Sequence, residues 1–153
     1  MLNLNQLKKI STGIHFFVGI GALAGGLAAV TNPTAPMGIS TDMLKTGPFK
    51  DFLIPGLFLM LVLGVGNLIV GMLSLRNHKW WMYFSGGMGD ILIMWIVIQC
   101  IILWAVAALH VIFFIVGAVQ GLLALAQIFY SGLFPFQNGK RIEAEVRKEE
   151  NVW

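Results

Sequence analysis

The chain has 153 residues, of which 58% are hydrophobic and 11% are charged, and its formal net charge is +3. Soluble domains average about 45–50% apolar and about 25% charged residues, so a soluble protein of this composition would lack the polar groups needed to cover its surface. The composition therefore excludes an ordinary soluble domain and indicates a small protein embedded in a lipid bilayer. We expect no nucleic-acid partner.

Segments long and apolar enough to cross a bilayer recur along the chain, since about 20 residues rising 1.5 Å each span the hydrocarbon core. We predict crossings at about 10–30, 52–75, 81–104 and 108–130. The last two come from one apolar stretch, and length alone places the break between them within Ala105–His110. The predicted fold is all-α, a four-helix transmembrane bundle over residues 1–135, followed by a charged cytoplasmic tail over 136–153.

Basic residues flank these segments unevenly. Eight of the ten fall before the first segment, between the second and third, or after the fourth: Lys8, Lys9, Arg76, Lys79, Lys140, Arg141, Arg147 and Lys148. Cytoplasmic flanks collect Lys and Arg, so we predict a multi-pass protein of the cell membrane with both termini in the cytoplasm. Lys45 and Lys50 then lie in an outer loop of about 20 residues between helices 1 and 2. Within this loop, Ser40 or Thr41 is expected to cap a short helix.

Small residues recur at helical spacing inside the predicted spans. Examples are Gly21 and Gly25 in the first, Gly64 and Gly71 beside Asn67 in the second, and Gly117 and Gly121 in the fourth. Such residues allow transmembrane helices to approach closely. We therefore expect a tightly packed bundle, with a glycine-lined cavity as the alternative.

Polar side chains within the spans are the candidate ligand-binding residues, because groups of this kind are unfavourable in hydrocarbon and often functional. They are Asp90, His110, Gln120, Asn67, Gln99 and His15. Asp90 lies nine residues past Trp81, about 13 Å into its helix. Three roles remain open for it: a structural hydrogen bond to Asn67 or to backbone, a ligand or proton site, and contact with a partner. Its helix face continues through Met94, Val97 and Ile101, whereas Gln99 points elsewhere.

The fourth helix carries aromatic, small and amide groups at three-and-four spacing: His110, Phe113, Phe114, Gly117, Gln120, Gly121 and Gln127. Such a face suits an amphiphilic ligand and suits a packed interface equally well. His15 and His110 are expected near opposite ends of the bundle. We predict no metal site and no catalytic residue, because no cluster of metal ligands and no GxSxG, HExxH or Walker A motif occurs.

The stretch GPFKDFLIPGLFLMLVLGVGNLIVGML, residues 47–73, resembles the DoxX-like group of small bacterial four-helix membrane proteins. The shared features are a Pro-Phe pair and then a Pro-Gly that opens a glycine-rich helix, and Trp95–Gln99 is similar to uncharacterised relatives. The resemblance covers roughly residues 13–127 and implies the four-helix fold. It also implies a link to quinone or thiol redox partners, which some members have. Here Cys100 is the only cysteine and no CxxC motif is present, so no catalytic residue is transferred.

The leading functional hypothesis is a non-enzymatic membrane protein that binds a small hydrophobic or amphiphilic molecule or a lipid, or that serves as an accessory subunit of a larger membrane system. One alternative is an oligomeric small-molecule transporter in which Asp90 is the coupling carboxylate. Another is a quinone- or haem-linked redox component that uses His15 and His110. A homo-oligomer and a membrane-protein partner are both compatible with these hypotheses, and no cofactor is identified.

Overall fold

The computed structural model describes residues 3–133 and contains four long helices. They are α1 (Leu4–Thr31), α2 (Leu53–Leu75), α3 (Trp81–Leu103) and α4 (Ala108–Tyr130), and each is long and apolar enough to cross a membrane. No strand occurs within residues 3–133. The all-α four-helix prediction is therefore confirmed, while the predicted tail at 136–153 lies outside the described residues.

The first helix begins at Leu4, earlier than the apolar pattern indicates. A capping box forms at its start, because the Asn3 side chain accepts from the Gln6 N–H at 2.8 Å and the Gln6 side chain accepts from the Asn3 N–H at 2.9 Å. These bonds satisfy backbone donors that a helix leaves free in its first turn. The helix therefore extends through polar residues that hydropathy alone excludes.

The second helix changes its winding at its centre. Residues Leu59–Val65 form a π-helical segment between two α-helical parts. Such segments are rare and change which side chains face the same side of a helix. Three glycines of α2 are buried against α1, at positions 56, 64 and 71, and a Cβ at Gly64 would lie 2.9 Å from Leu23 Cδ2. The predicted glycine seam is thus a close helix–helix contact.

The four helices form a ring of antiparallel neighbours. Helix α1 packs along α2 and against α4, α3 packs along α4, and the C-terminal half of α2 meets α3. The start of α1, the end of α2, the start of α3 and the end of α4 therefore lie together at what we call the basic end, which carries Lys8, Lys9, Arg76 and Lys79. At this end, Lys8 Nζ donates to Asn77 Oδ1 and so links the start of α1 to the connection between α2 and α3.

The opposite end, which we call the loop end, holds the connections 32–52 and 104–107. The longer connection contains 3-10 turns at Pro36–Gly38 and Thr41–Met43, and Ser40 caps the second turn, as the sequence indicates. The N–H groups of Lys45 and Thr46 both donate to the Ile102 carbonyl, which fixes this connection against the end of α3. Helix α3 stops because Trp104 adopts a left-handed conformation with φ of 49°.

A continuous apolar core fills the space between the helices. Its buried members are Val18, Ala22, Leu63, Val70, Met88, Leu92, Trp95 and Ile96. Phe58 stacks on Trp95 with ring centroids 4.3 Å apart. Large apolar side chains also cover the outside of every helix, as expected of a surface that contacts lipid.

Candidate functional site

Buried polar side chains from all four helices form one connected set of hydrogen bonds inside the bundle. His15 of α1, Asn67 of α2, Ser85 of α3 and Gln120 of α4 are all completely buried. His15 Nδ1 lies 2.7 Å from Asn67 Oδ1, and His15 Nε2 lies 2.7 Å from Ser85 Oγ. Gln120 Nε2 donates to Asn67 Oδ1 at 2.9 Å. We call these four residues the polar cluster.

The directions of the hydrogen bonds in the polar cluster follow from one fixed acceptor. Asn67 Nδ2 donates to the Leu63 carbonyl at 2.9 Å, so Asn67 Oδ1 must be the accepting atom of that amide. His15 Nδ1 therefore donates to Asn67 Oδ1, and in a neutral ring Nε2 accepts from the Ser85 hydroxyl. Gln120 Nε2, 3.0 Å from His15 Nδ1, is a second donor to the same Asn67 oxygen.

Hydroxyl groups extend the polar cluster toward the basic end. Ser11 Oγ lies 3.3 Å from Ser85 Oγ. Thr12 Oγ1 lies 2.6 Å from Ser74 Oγ and donates to the Lys8 carbonyl at 2.8 Å. These residues were not among the sequence candidates, because small hydroxyl side chains are less unusual in a membrane span than imidazole, amide or carboxylate groups. The sequence feature that points to them is the tendency of Ser and Thr side chains in membrane spans to form hydrogen bonds between helices.

The polar cluster stops before the loop end of the bundle. Val18, Leu63 and Leu92 lie on that side and are almost completely buried. Neither the Asn67 amide nor this apolar layer can carry a proton onward, so the described part of the chain forms no hydrogen-bonded path through the bundle. Both ring nitrogens of His15 already have partners, which leaves neither nitrogen free to bind a haem iron.

Two glutamines of α4 retain unused hydrogen-bonding groups. Gln127 is completely buried, and neither of its amide atoms has a partner within residues 3–133. Gln120 Oε1 is unpartnered in the same range, although its amide nitrogen belongs to the polar cluster. Gln127 therefore contributes no described bond to the interior and is a natural comparison for His15.

Asp90 lies on the outside of α3 and is exposed, as are Met94, Val97 and Ile101 on the same face. Its carboxylate makes no hydrogen bond or ion pair with any residue between 3 and 133. A hydrogen bond to Asn67, one of the roles left open for Asp90, is not formed, because the Asn67 side chain bonds to groups of α1, α2 and α4 instead. The Asp90 carboxylate lies beside Gly121 of α4, where an added Cβ would be 3.9 Å from Asp90 Oδ1.

The polar face predicted for α4 is divided between two surfaces. Gly117, Gln120 and Gln127 are buried, whereas His110 and Phe114 line a groove on the outside. His110 precedes Gln120 by ten residues, which places it about 15 Å closer to the loop end than the polar cluster. His15 and His110 are thus far apart. Gln99 is half-buried and lies outside the polar cluster.

The groove lies between α3 and α4 at the loop end and has a volume of about 550 Å³. Its lining is apolar apart from the Cys100 thiol, the Trp104 indole N–H and the His110 imidazole. His110 Nδ1 accepts from the Ala107 N–H at 3.0 Å, so the proton of a neutral ring is on Nε2. No group in the described part of the chain accepts from Nε2. The groove therefore combines apolar walls with hydrogen-bond donors, one of which is His110 Nε2–H.

No family model, curated protein or solved structure matches this chain. Across residues 3–133, no three His, Cys, Asp or Glu side chains are grouped so that they could hold a metal ion. The functional assignment therefore depends on the groove, the polar cluster and Asp90.

Proposed function

We propose that this chain is a non-enzymatic protein of the cell membrane that binds an amphiphilic molecule in the groove between α3 and α4. The observation that carries the proposal is the His110 Nε2–H donor beside a mainly apolar groove. The apolar walls suit an alkyl or isoprenoid chain. The donor suits a carbonyl, ester or carboxyl oxygen, because a neutral imidazole N–H donates to acceptors of this kind.

The depth of the groove supports a ligand with a polar head and an apolar tail. His110 is the third residue of α4 and lies at the loop end, whereas Val97 and Phe114 extend the groove toward the bilayer centre. A ligand head at His110 would stay near the headgroup level while its tail follows the helices inward. Amphiphiles within a membrane leaflet adopt this orientation by themselves.

A quinone belongs to the same class of ligand, since its carbonyl oxygens accept hydrogen bonds and its tail is apolar. The resemblance to DoxX-like proteins favours a quinone as the ligand. The proposed function is binding of this molecule and includes no redox reaction. The transporter alternative has less support, because Asp90 lies in neither the groove nor the polar cluster. The haem alternative has less support because the polar cluster occupies both nitrogens of His15.

The binding proposal predicts that a bulky side chain in the groove displaces the ligand. Ala105 is exposed and lines the groove, so Ala105→Trp should fill it without disturbing the core. We expect at least about a tenfold loss of the co-purified amphiphile, because the tail loses its apolar contact surface. Quantitative mass spectrometry of small molecules and lipids retained through gentle detergent purification measures this loss.

The matched control for this experiment is Ala24→Trp, which adds the same side chain at an exposed position of α1 away from the groove. It should retain the ligand at the wild-type level. His110→Ala should weaken retention several-fold while leaving the apolar walls intact. An Ala105→Trp protein that carries the same amphiphile in the same amount as the wild type would exclude the groove as the binding site.

We further propose that the basic end faces the cytoplasm, since the positive-inside rule places Lys and Arg there. Reporters fused to the two termini should then both give a cytoplasmic signal. A glycosylation or thiol-labelling site inserted in the connection 32–52 should be modified from outside the cell. Termini that report from opposite sides of the membrane would contradict both the orientation and an even number of crossings.

A further inference from the structure

Asp90 is the tenth residue of the 23-residue helix α3, so its Cα lies about 13 Å from the start of a helix about 34 Å long. Its side chain is exposed on the outside of the bundle and has no partner between residues 3 and 133. A carboxylate that faces hydrocarbon near the middle of a bilayer is unfavourable unless it is neutralised or paired. The Asp90 carboxylate therefore needs a neutralising or pairing group that residues 3–133 do not supply.

Within residues 3–133, the chain supplies no cation at this depth. Its sequence has no Lys or Arg in residues 10–44, 51–75 or 80–139. His15 is buried within the polar cluster, and His110 lies at the loop end. Two copies that met symmetrically at Asp90 would place two carboxylates together, which repel each other. Charge complementarity therefore favours a different protein over a second copy.

The surface around Asp90 suits close approach by a helix. A Cβ at Gly87 would meet no atom within 4 Å, so this part of α3 is open to the outside. Met94 continues the same face as an exposed apolar side chain, whereas Val97 and Ile101 beyond it line the groove. Small residues let the backbones of transmembrane helices come close, and Met94 adds apolar contact beside Asp90.

We propose that the α3 outer face, formed by Gly87, Asp90 and Met94, binds a transmembrane helix of another membrane protein that carries Lys or Arg at mid-membrane depth. The ammonium or guanidinium group pairs with the Asp90 carboxylate, and the pairing lowers the free-energy cost of placing each charge in hydrocarbon. Gly87 leaves room for the partner's backbone. This inference goes beyond the ligand-binding function and does not depend on it, because Asp90 does not line the groove.

The test uses the full chain in liposomes and two synthetic transmembrane peptides, each a Leu-Ala helix with either Lys or Leu at its centre. Energy transfer between labelled protein and labelled peptide reports binding as the peptide-to-lipid ratio is varied. We expect the Lys peptide to bind the wild type at least about tenfold more tightly than the Leu peptide. Asp90→Asn should abolish the difference, and Asp90→Glu should retain most of it.

Two further variants separate charge pairing from general effects. Gly87→Phe keeps the carboxylate but blocks approach of a helix, so it should lose the Lys peptide. Asp42→Asn, which removes an exposed carboxylate of the loop-end connection, should bind like the wild type. Ala105→Trp should also bind the Lys peptide normally, so failure of the ligand proposal and failure of this inference give different results.

Three results would overturn the inference. The first is that the Asp90→Asn protein binds the Lys peptide as tightly as the wild type does, and the second is that the Leu peptide binds the wild type as tightly as the Lys peptide does. The third is that neither peptide binds, while Asp90→Asn lowers the number of copies per complex in single-molecule photobleaching. That outcome would assign the α3 outer face to a second copy of this chain.

Discussion

Gly26→Ala is expected to lower the free energy of unfolding by about 2–3 kcal/mol, because overpacking a close helix contact forces backbone shifts. A Cβ at Gly26 would lie 2.6 Å from Met60 Cβ and 2.7 Å from the Gly56 carbonyl oxygen. The second of these atoms is backbone and cannot rotate away. Helices α1 and α2 must therefore separate, and the loss spreads along their whole contact. SDS-induced unfolding in mixed micelles, followed by tryptophan fluorescence, measures the change.

Gly21→Ala is the matched control, since it makes the same substitution five residues earlier in the same helix. A Cβ at Gly21 would meet no atom within 4 Å. Its unfolding midpoint should stay at or slightly above that of the wild type, because alanine has the higher helix propensity. Equal destabilisation by the two substitutions would show that the effect belongs to the helix backbone and not to the contact with α2.

His15→Ala is expected to lower the free energy of unfolding by about 2–4 kcal/mol, through a cavity and through polar groups left without partners. The Ser85 hydroxyl loses its acceptor at His15 Nε2, and Asn67 Oδ1 loses one of two donors. All three side chains are completely buried, so water does not readily replace the lost bonds. The same SDS titration, repeated for His15→Gln as a partial replacement, measures the loss.

Gln127→Leu provides the comparison for His15, because Gln127 is equally buried but its amide has no partner within the described residues. Its replacement by a residue of similar size should leave stability unchanged or raise it, since no partner loses a bond. If Gln127→Leu and His15→Ala destabilised the protein equally, the loss would come from replacing any buried polar side chain and not from hydrogen bonds broken at its partners. The hydrogen bonds of the polar cluster would then contribute little.

These variants distinguish the structural interior from the proposed binding surfaces. Changes in the polar cluster should alter stability, whereas Ala105→Trp and Asp90→Asn should alter binding with little effect on unfolding. The reason is position: the polar cluster contacts all four helices, while the groove and the α3 outer face lie on the outside. One purified protein thus supports independent measurements of all three features.

Several members of the polar cluster were identifiable from the sequence, but the contacts between them were not. His15, Asn67 and Gln120 were candidates because amide and imidazole groups are unusual in a membrane span. The pairs are separated by 52 and 105 residues in the chain, and no periodicity connects such distant positions. Ser85 was missed because serine is small and uncharged, and only its position opposite His15 gives it importance.

The prediction for α4 also shows that helical spacing alone does not identify which residues face the bundle interior. Its polar and aromatic residues share a three-and-four spacing, which indicated one surface. In the structure α4 contacts α1 on one side and α3 on another, so Gln120 lies inside while His110 and Phe114 line the groove. Spacing places residues around a helix, but the neighbouring helices determine which of those directions is the interior.

The four apolar helices, and the bounds of all but the first, were accessible from residue order because a bilayer imposes a local requirement. Each span needs about 20 apolar residues and must satisfy its own backbone hydrogen bonds, and both conditions are met within one segment. The inward face of each span required the folded bundle, because lipid and protein interior are both apolar and hydropathy does not separate them. Asp90 shows the consequence: its depth followed from counting residues, while its outward direction followed from the packing of α3 against its neighbours.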